Sequence, residues 1–166
     1  MITRVFLVGF MGVGKTTVGQ LLARRLGWSF VDLDREIEGR EGQSVREIFR
    51  SKGEACFRAA EAACLRSVSG PPRRVVSLGG GAYLDPSNRA LVDSCGLSVY
   101  LEAPLEVLLG RIDDDGSRPL FGSRGQVERL FRERQPTYRM AQRTVETADR
   151  APEDIVDRVV RLLGDI

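Results

Sequence analysis

The sequence predicts an α/β protein, a parallel β-sheet flanked by helices, in a single domain spanning residues 1–166. Three observations predict it. Short apolar runs alternate with stretches of 3.6-residue periodicity along the whole chain. The first run, Val5 to Val8, is too short for a helix and leads through a glycine-rich turn into a periodic stretch. No segment repeats another, and nothing marks a second domain.

That first run reads as a buried parallel strand. Gly9 to Thr16 then spells G-x-x-x-x-G-K-[ST], with Gly9, Gly14, Lys15 and Thr16 at the fixed positions, and Val18, Leu21, Leu22 and Leu26 follow at helical spacing. Strand, loop and helix come in the order a phosphate-binding loop requires. Polyphosphate must lie against bare backbone N–H groups, so glycine is needed where a Cβ would block approach or where φ is positive. The helix N-terminus adds partial positive charge. Lys15 can reach the β- and γ-phosphates, and the Thr16 hydroxyl can ligate Mg²⁺. Lysine usage agrees: of 25 basic residues only Lys15 and Lys52 are lysine.

Gly27 caps the first helix, and Trp28 to Leu33 reads as the second strand, ending in Asp32-Leu33-Asp34. Ligands of open α/β sheets gather at the carboxyl ends of strands, so both carboxylates stand where the phosphate loop opens. Period-2 geometry puts them on one side if the strand runs that far. Ser44-Val45-Arg46-Glu47 spells a capping box whose helix stops at Gly53, and Glu54 to Val68 forms another helix. Within it Glu54, Arg58 and Glu61 share a face as an exposed salt-bridge ladder, which only the neighbourhood of a site would give another role.

Gly70-Pro71-Pro72 breaks the chain before a third strand, Arg74 to Leu78, and Gly79, Gly80 and Gly81 follow directly. Either some group approaches their backbone closely, or they need unusual φ, or the segment is a flexible turn. Asp85-Pro86 is an N-cap and N1 pair starting a helix to about Ser94. Leu97 to Leu101 is the fourth strand. Leu105, Leu108, Leu109 and Ile112 mark an amphipathic helix after Pro104, with Arg111 near its end. Asp113 to Gly125 has no periodicity and reads as either an active-site lid carrying Arg118 and Arg124 or a surface loop. Val127, Leu130, Phe131 and Arg134 lie on the next helix, which Pro136 ends or kinks. Arg143 to Thr147 is a short fifth strand, and Ile155, Val156, Val159, Val160 and Leu163 give a closing helix.

Composition narrows the function. The net charge is +2, with arginines interleaved among acidic residues, so no nucleic-acid footprint is expected. No apolar stretch approaches a membrane span, no targeting segment precedes the first strand, and three cysteines make no disulfide or metal framework; a cytoplasmic protein without membrane association is expected. There is no histidine, which removes a histidine general base and a Ser-His triad. Phosphoryl transfer needs little base help, because it runs on positioning and charge stabilisation.

Taken together over almost the whole chain, the motifs resemble those of the shikimate kinase family, within the nucleoside-monophosphate-kinase-like P-loop kinases. They are GFMGVGKTT, DLD, GE-x-x-FR-x-x-E (Gly53, Glu54, Phe57, Arg58, Glu61), GGG, RPL (Arg118 to Leu120) and R-x-P-x-Y (Arg134, Pro136, Tyr138). The resemblance implies a five-stranded parallel sheet in the order 2-3-1-4-5, a lid over about 113–125, a substrate-binding helical region over about 34–61, and a monomer. It implies transfer of the γ-phosphoryl group of ATP to the 3-hydroxyl of shikimate in aromatic amino-acid biosynthesis, with Mg²⁺ as cofactor. Gly12, Val13, Gly14, Lys15, Thr16 and Thr17 would hold the ATP phosphates, with Arg111, Arg118, Arg150 and Pro152 also on the nucleotide. Asp34 would hold the accepting hydroxyl and take its proton, and Lys15 and Arg118 would neutralise the transferring group. Arg58, oriented by Glu61, and Arg134 would clamp the substrate carboxylate against Gly79, Gly80 and Gly81. Mg²⁺ would sit on Thr16, with Asp32 acting through water.

Two departures stand out. Phe121 follows RPL where the family commonly shows leucine, and Ser77 rather than an acidic residue ends the third strand, a peculiarity the family shares. The rival readings are another small-molecule P-loop kinase, such as a gluconate kinase, and a nucleotide-binding regulator without catalysis. The first has no need of two arginines facing a ring carboxylate; the second has no need of Asp34, Lys15 and Arg118 together.

Overall fold

The computed structural model describes residues 1–114, without the side chains of 113 and 114, and residues 122–164. Five strands, β1 (Arg4–Val8), β2 (Ser29–Asp32), β3 (Arg74–Ser77), β4 (Leu97–Glu102) and β5 (Arg143–Glu146), form one sheet in the order β2-β3-β1-β4-β5. Every neighbouring pair is parallel. β1 sits centrally with Val5, Phe6, Leu7 and Val8 sealed in the core, as a continuous apolar run buried on both faces should be. β3 and β5 run one residue shorter than expected, yet Leu78 N–H still donates to Leu7 and Thr147 N–H to Glu102.

Seven helices surround the sheet among the described residues: α1 (Lys15–Leu26), α2 (Leu33–Glu41), α3 (Val45–Ser69), α4 (Pro86–Cys95), α5 (Leu105–Asp114), α6 (Arg124–Tyr138) and α7 (Pro152–Gly164). α7 packs on α1, α3 on α2 and α4, and α6 on α5. Their ends follow the sequence signals. Gly27 takes a left-handed conformation (φ 65°) and closes α1. Ser44 and Glu47 form both halves of the capping box, and Asp85 accepts from the N–H groups of Ser87 and Asn88 ahead of Pro86. None of the described helices is long and apolar enough to cross a membrane.

Around the helices the sequence reading and the structure compare element by element. β2 stops at Asp32, which caps a helix, α2, where the strand was expected to continue through Leu33. The two helices expected on either side of Gly53 are present as the two arms of α3, which meet at a bend there (φ 83°, ψ 171°). α6 continues through Pro136 to Tyr138. Arg124, expected on a lid, opens α6 and pairs with Glu106 and Glu128, while Arg118 and Phe121 lie outside the described residues.

Candidate active site

The phosphate loop is built as its spelling demands. Gly12 and Gly14 hold positive φ (79° and 99°), and Gly14 caps α1 with no side-chain hydrogen bond, so the first-turn N–H groups face an anion position. Val13 is buried under the loop and Thr17 is exposed at its edge. Lys15 Nζ donates to the carbonyls of Gly9 at 2.7 Å and Phe10 at 3.1 Å, bending its ammonium back over the loop. Burial lowers its pKa from 10.5 to about 8, against the opposing charges of Asp34 and Asp32. Arg111 Nη1 donates to the carbonyls of Gly12 (3.2 Å) and Val13 (3.3 Å), which holds that arginine against the loop.

Asp32 and Asp34 do not project from one strand face, because the chain turns helical between them. Asp32 caps α2 by accepting from Arg35 N–H, and its other carboxylate oxygen accepts from the Thr16 hydroxyl at 3.0 Å. A hydroxyl and a carboxylate meeting at the phosphate loop are hard oxygen donors. Such a pair suits Mg²⁺, which keeps most of its shell as water and phosphate oxygens. Asp34 stands in the first turn of α2 instead. Burial raises its pKa, helped by Asp32 and Glu38 and opposed by Lys15 and Arg58.

Beyond the loop lies a cavity of about 250 Å³ lined by Asp34, Arg58, Glu61, Arg134 and the three glycines, with Met11, Val45, Phe49 and Phe57 as its apolar wall. The triple glycine owes its composition to close approach. A Cβ on Gly79 would come within 2.5 Å of Asp34 Oδ1, one on Gly80 within 2.9 Å of Arg134 Nη1, and one on Gly81 would collide with the Arg58 guanidinium. Each glycine is thus matched to one functional side chain, and none of the three has positive φ.

The salt-bridge ladder on α3 is only partly a surface feature. Glu54 is exposed and pairs loosely with Arg58 at 3.7 Å, whereas Glu61 is 1% exposed and its Oε1 accepts from Arg58 Nη1 at 2.8 Å. Burial raises the pKa of Glu61, and the charge of Arg58 works against that rise. The Arg58 guanidinium also lies 5.2 Å from the Phe57 ring centre and 5.9 Å from that of Phe49. Phe49 sits one arm of α3 away from Phe57, and the bend at Gly53 brings their rings to 4.6 Å. Helical spacing across an unbroken helix could not have paired them, and this is why Phe49 escaped the sequence reading.

Arg134 is buried on α6 opposite the triple glycine. Arg150 and Pro152 lie at the start of α7, and among the described residues no hydrogen bond or ion pair ties them to the phosphate loop.

A central β1, a glycine-rich loop with a lysine at the head of α1, and an acidic residue beside an arginine-lined cavity define a P-loop phosphotransferase acting on a small anionic molecule. The model of the family described as shikimate kinase matches residues 11–164. Shikimate kinase of Geobacter sulfurreducens is 46% identical over 97% of this chain and 91% of its own. The solved structure of Acinetobacter baumannii shikimate kinase in complex with shikimate is 36% identical, covers 99% of this chain and 94% of that one, and has a TM-score of 0.92. This chain belongs to the shikimate kinase family. A gluconokinase from Sinorhizobium meliloti, at 22% identity and a TM-score of 0.62, shares the fold alone.

The family reaction is transfer of the γ-phosphoryl group of ATP to the 3-hydroxyl of shikimate, giving shikimate 3-phosphate and ADP in the shikimate pathway.

Proposed function

We propose that this chain performs the reaction with a fixed division of labour. The observation that carries the reading is the pairing of Gly79, Gly80 and Gly81 with Asp34, Arg134 and Arg58, beside a phosphate loop. Guanidinium groups match a carboxylate in bidentate geometry, and glycine admits a ring close to backbone. Arg58 and Arg134 therefore take the shikimate carboxylate, with Glu61 holding Arg58 in place.

At the other end of the ring Asp34 accepts a hydrogen bond from the reacting hydroxyl and receives its proton as the phosphoryl group arrives. A carboxylate whose pKa burial has raised is better matched to that transfer than an ordinary one. Lys15 leaves its loop carbonyls to meet the β- and γ-phosphates, over the backbone of Gly12, Val13, Gly14, Thr16 and Thr17. Arg118 adds charge on the transferring group, an assignment resting on the family resemblance. Arg111, Arg150 and Pro152 serve the nucleotide, Arg111 with the support of its contacts to the loop. Thr16 would hold Mg²⁺, with Asp32 through water; when bound, the ion neutralises charge on the β- and γ-phosphates. Residues 1–166 act as one domain, with the substrate-binding helical region over 34–61; most of the lid expected over 113–125 lies outside the described residues. The form proposed with it is a cytoplasmic monomer, the monomer from the family resemblance and the compartment from composition.

The test is ADP release in a coupled assay with ATP and Mg²⁺, offering shikimate, gluconate or no acceptor. Turnover with shikimate is expected, and Asp34→Asn should lower kcat by at least a hundredfold while leaving nucleotide affinity nearly intact, the size of a lost general base. ADP release with gluconate only, or full turnover in the variant, would overturn the assignment.

A further inference from the structure

The R-x-P-x-Y stretch of α6 contributes Arg134 to the carboxylate clamp, but its tyrosine has no part in the chemistry above. Tyr138 ends α6, one helical turn beyond Arg134, and is fully buried. Its ring packs on Tyr100 of β4 at 5.5 Å, which accounts for an aromatic residue there but not for a hydroxyl. The hydroxyl donates to the Gly80 carbonyl at 2.5 Å. Its oxygen also shares a hydrogen bond with the Arg134 side chain; that bond and the arginine's charge oppose the burial that pushes the phenol up to about 12. A Cβ built on Gly80 would lie 2.9 Å from Arg134 Nη1 and 3.5 Å from the Tyr138 oxygen, so clamp, floor and phenol meet at one point.

We propose that Tyr138 is a positioning residue for the acceptor site: its hydroxyl, held between the Gly80 carbonyl and the Arg134 guanidinium, fixes how far the carboxylate clamp stands from the glycine floor. A neutral phenol suits this place because it donates to a carbonyl and accepts from a guanidinium at once. Without it, Gly80 loses its donor and Arg134 gains rotamers that point away from the cavity. The substrate carboxylate then meets a clamp that must be ordered on binding, which costs affinity. The Tyr138 hydroxyl bonds Gly80 and Arg134 and no residue of the phosphate loop, so nucleotide affinity should be spared.

This inference rests on the reading of Arg134 as carboxylate clamp, and the experiment separates the two. Tyr138→Phe, Arg134→Ala and the double variant are assayed for kcat and for both KM values. Tyr138→Phe keeps the ring and its packing. It is expected to raise KM for shikimate about tenfold, as loss of one charge-assisted hydrogen bond does, with kcat and KM for ATP within about twofold of the parent. Because the hydroxyl acts through Arg134, the double variant should lose no more shikimate affinity than Arg134→Ala alone. An unchanged KM for shikimate in Tyr138→Phe beside a raised one in Arg134→Ala overturns the Tyr138 role alone, as do losses that multiply in the double variant. An unchanged KM in Arg134→Ala overturns the clamp reading and this inference with it.

Discussion

Lys15, proposed to meet the ATP phosphates, holds its charge in a place where burial makes that charge expensive. With its pKa lowered to about 8, the free enzyme loses the ammonium as pH rises through that value. Bound phosphate favours the charged form and pushes its loss to higher pH. We therefore expect kcat/KM for ATP, which reports the free enzyme, to fall about tenfold per pH unit on an alkaline limb starting near pH 8. kcat at saturating ATP should hold to higher pH. A flat kcat/KM for ATP across that range would contradict the buried lysine. Asp34 sets the other limb: its pKa is raised, so turnover is lost on acidification sooner than an ordinary carboxylate would lose it. At this scale much of the site was legible. Lys15 and Thr16 are dictated by the motif, and for the three consecutive glycines close approach was one of three readings open. Glu61 as the partner that orients Arg58 came from the family resemblance alone, because i, i+3 spacing to Arg58 looks the same on a solvated face.

Among the elements, α3 shows how a break serves a site. Gly53, at φ 83° and ψ 171°, turns one run of helix into two arms, so that Phe49 on the first reaches Phe57 on the second. An alanine there faces no steric neighbour within 4 Å but must adopt a conformation that L-residues avoid. Gly53→Ala should cost about 1–2 kcal/mol of stability. It should also raise KM for shikimate while sparing KM for ATP, since both arms contribute to the cavity wall and neither forms part of the phosphate loop. Thermal denaturation with both kinetic constants checks this; equal losses for the two substrates would mean a general folding defect. Elements with caps or continuous apolar runs were legible to within a residue or two, because Gly27, Ser44 and Asp85 mark their ends by hydrogen bonding that needs no tertiary context. α2 was not. Its nine residues bury only Leu33 and Ile37, too few to set a period, and its N-cap, Asp32, was read as the end of a strand, so helix there was implied only by the resemblance, within 34–61.

For the molecule as a whole, the cavity joins α2, α3, the segment after β3 and α6, so that a ligand there ties together parts far apart in sequence. A ligand that binds only the folded state at 100 times its dissociation constant adds about 2.7 kcal/mol. For a chain of this size that amounts to roughly 5–11 °C in Tm. Shikimate and ADP should each give a shift of this order, and Arg58→Ala should abolish the shikimate shift while keeping that of ADP. Loss of both would place Arg58 in the general architecture and not in the acceptor site. The parallel sheet was foreseen from the alternation of strand and helix, but its order, with β1 between β3 and β4, came from family resemblance, since alternation alone does not rank the strands. The fit of three glycines to three side chains has a consequence for drug resistance. An inhibitor resting on Gly79, Gly80 and Gly81 could be excluded by enlarging that floor, yet any added side chain presses on Asp34, Arg134 or Arg58, the groups proposed to hold the natural substrate. Escape by that route would disarm the enzyme along with the drug.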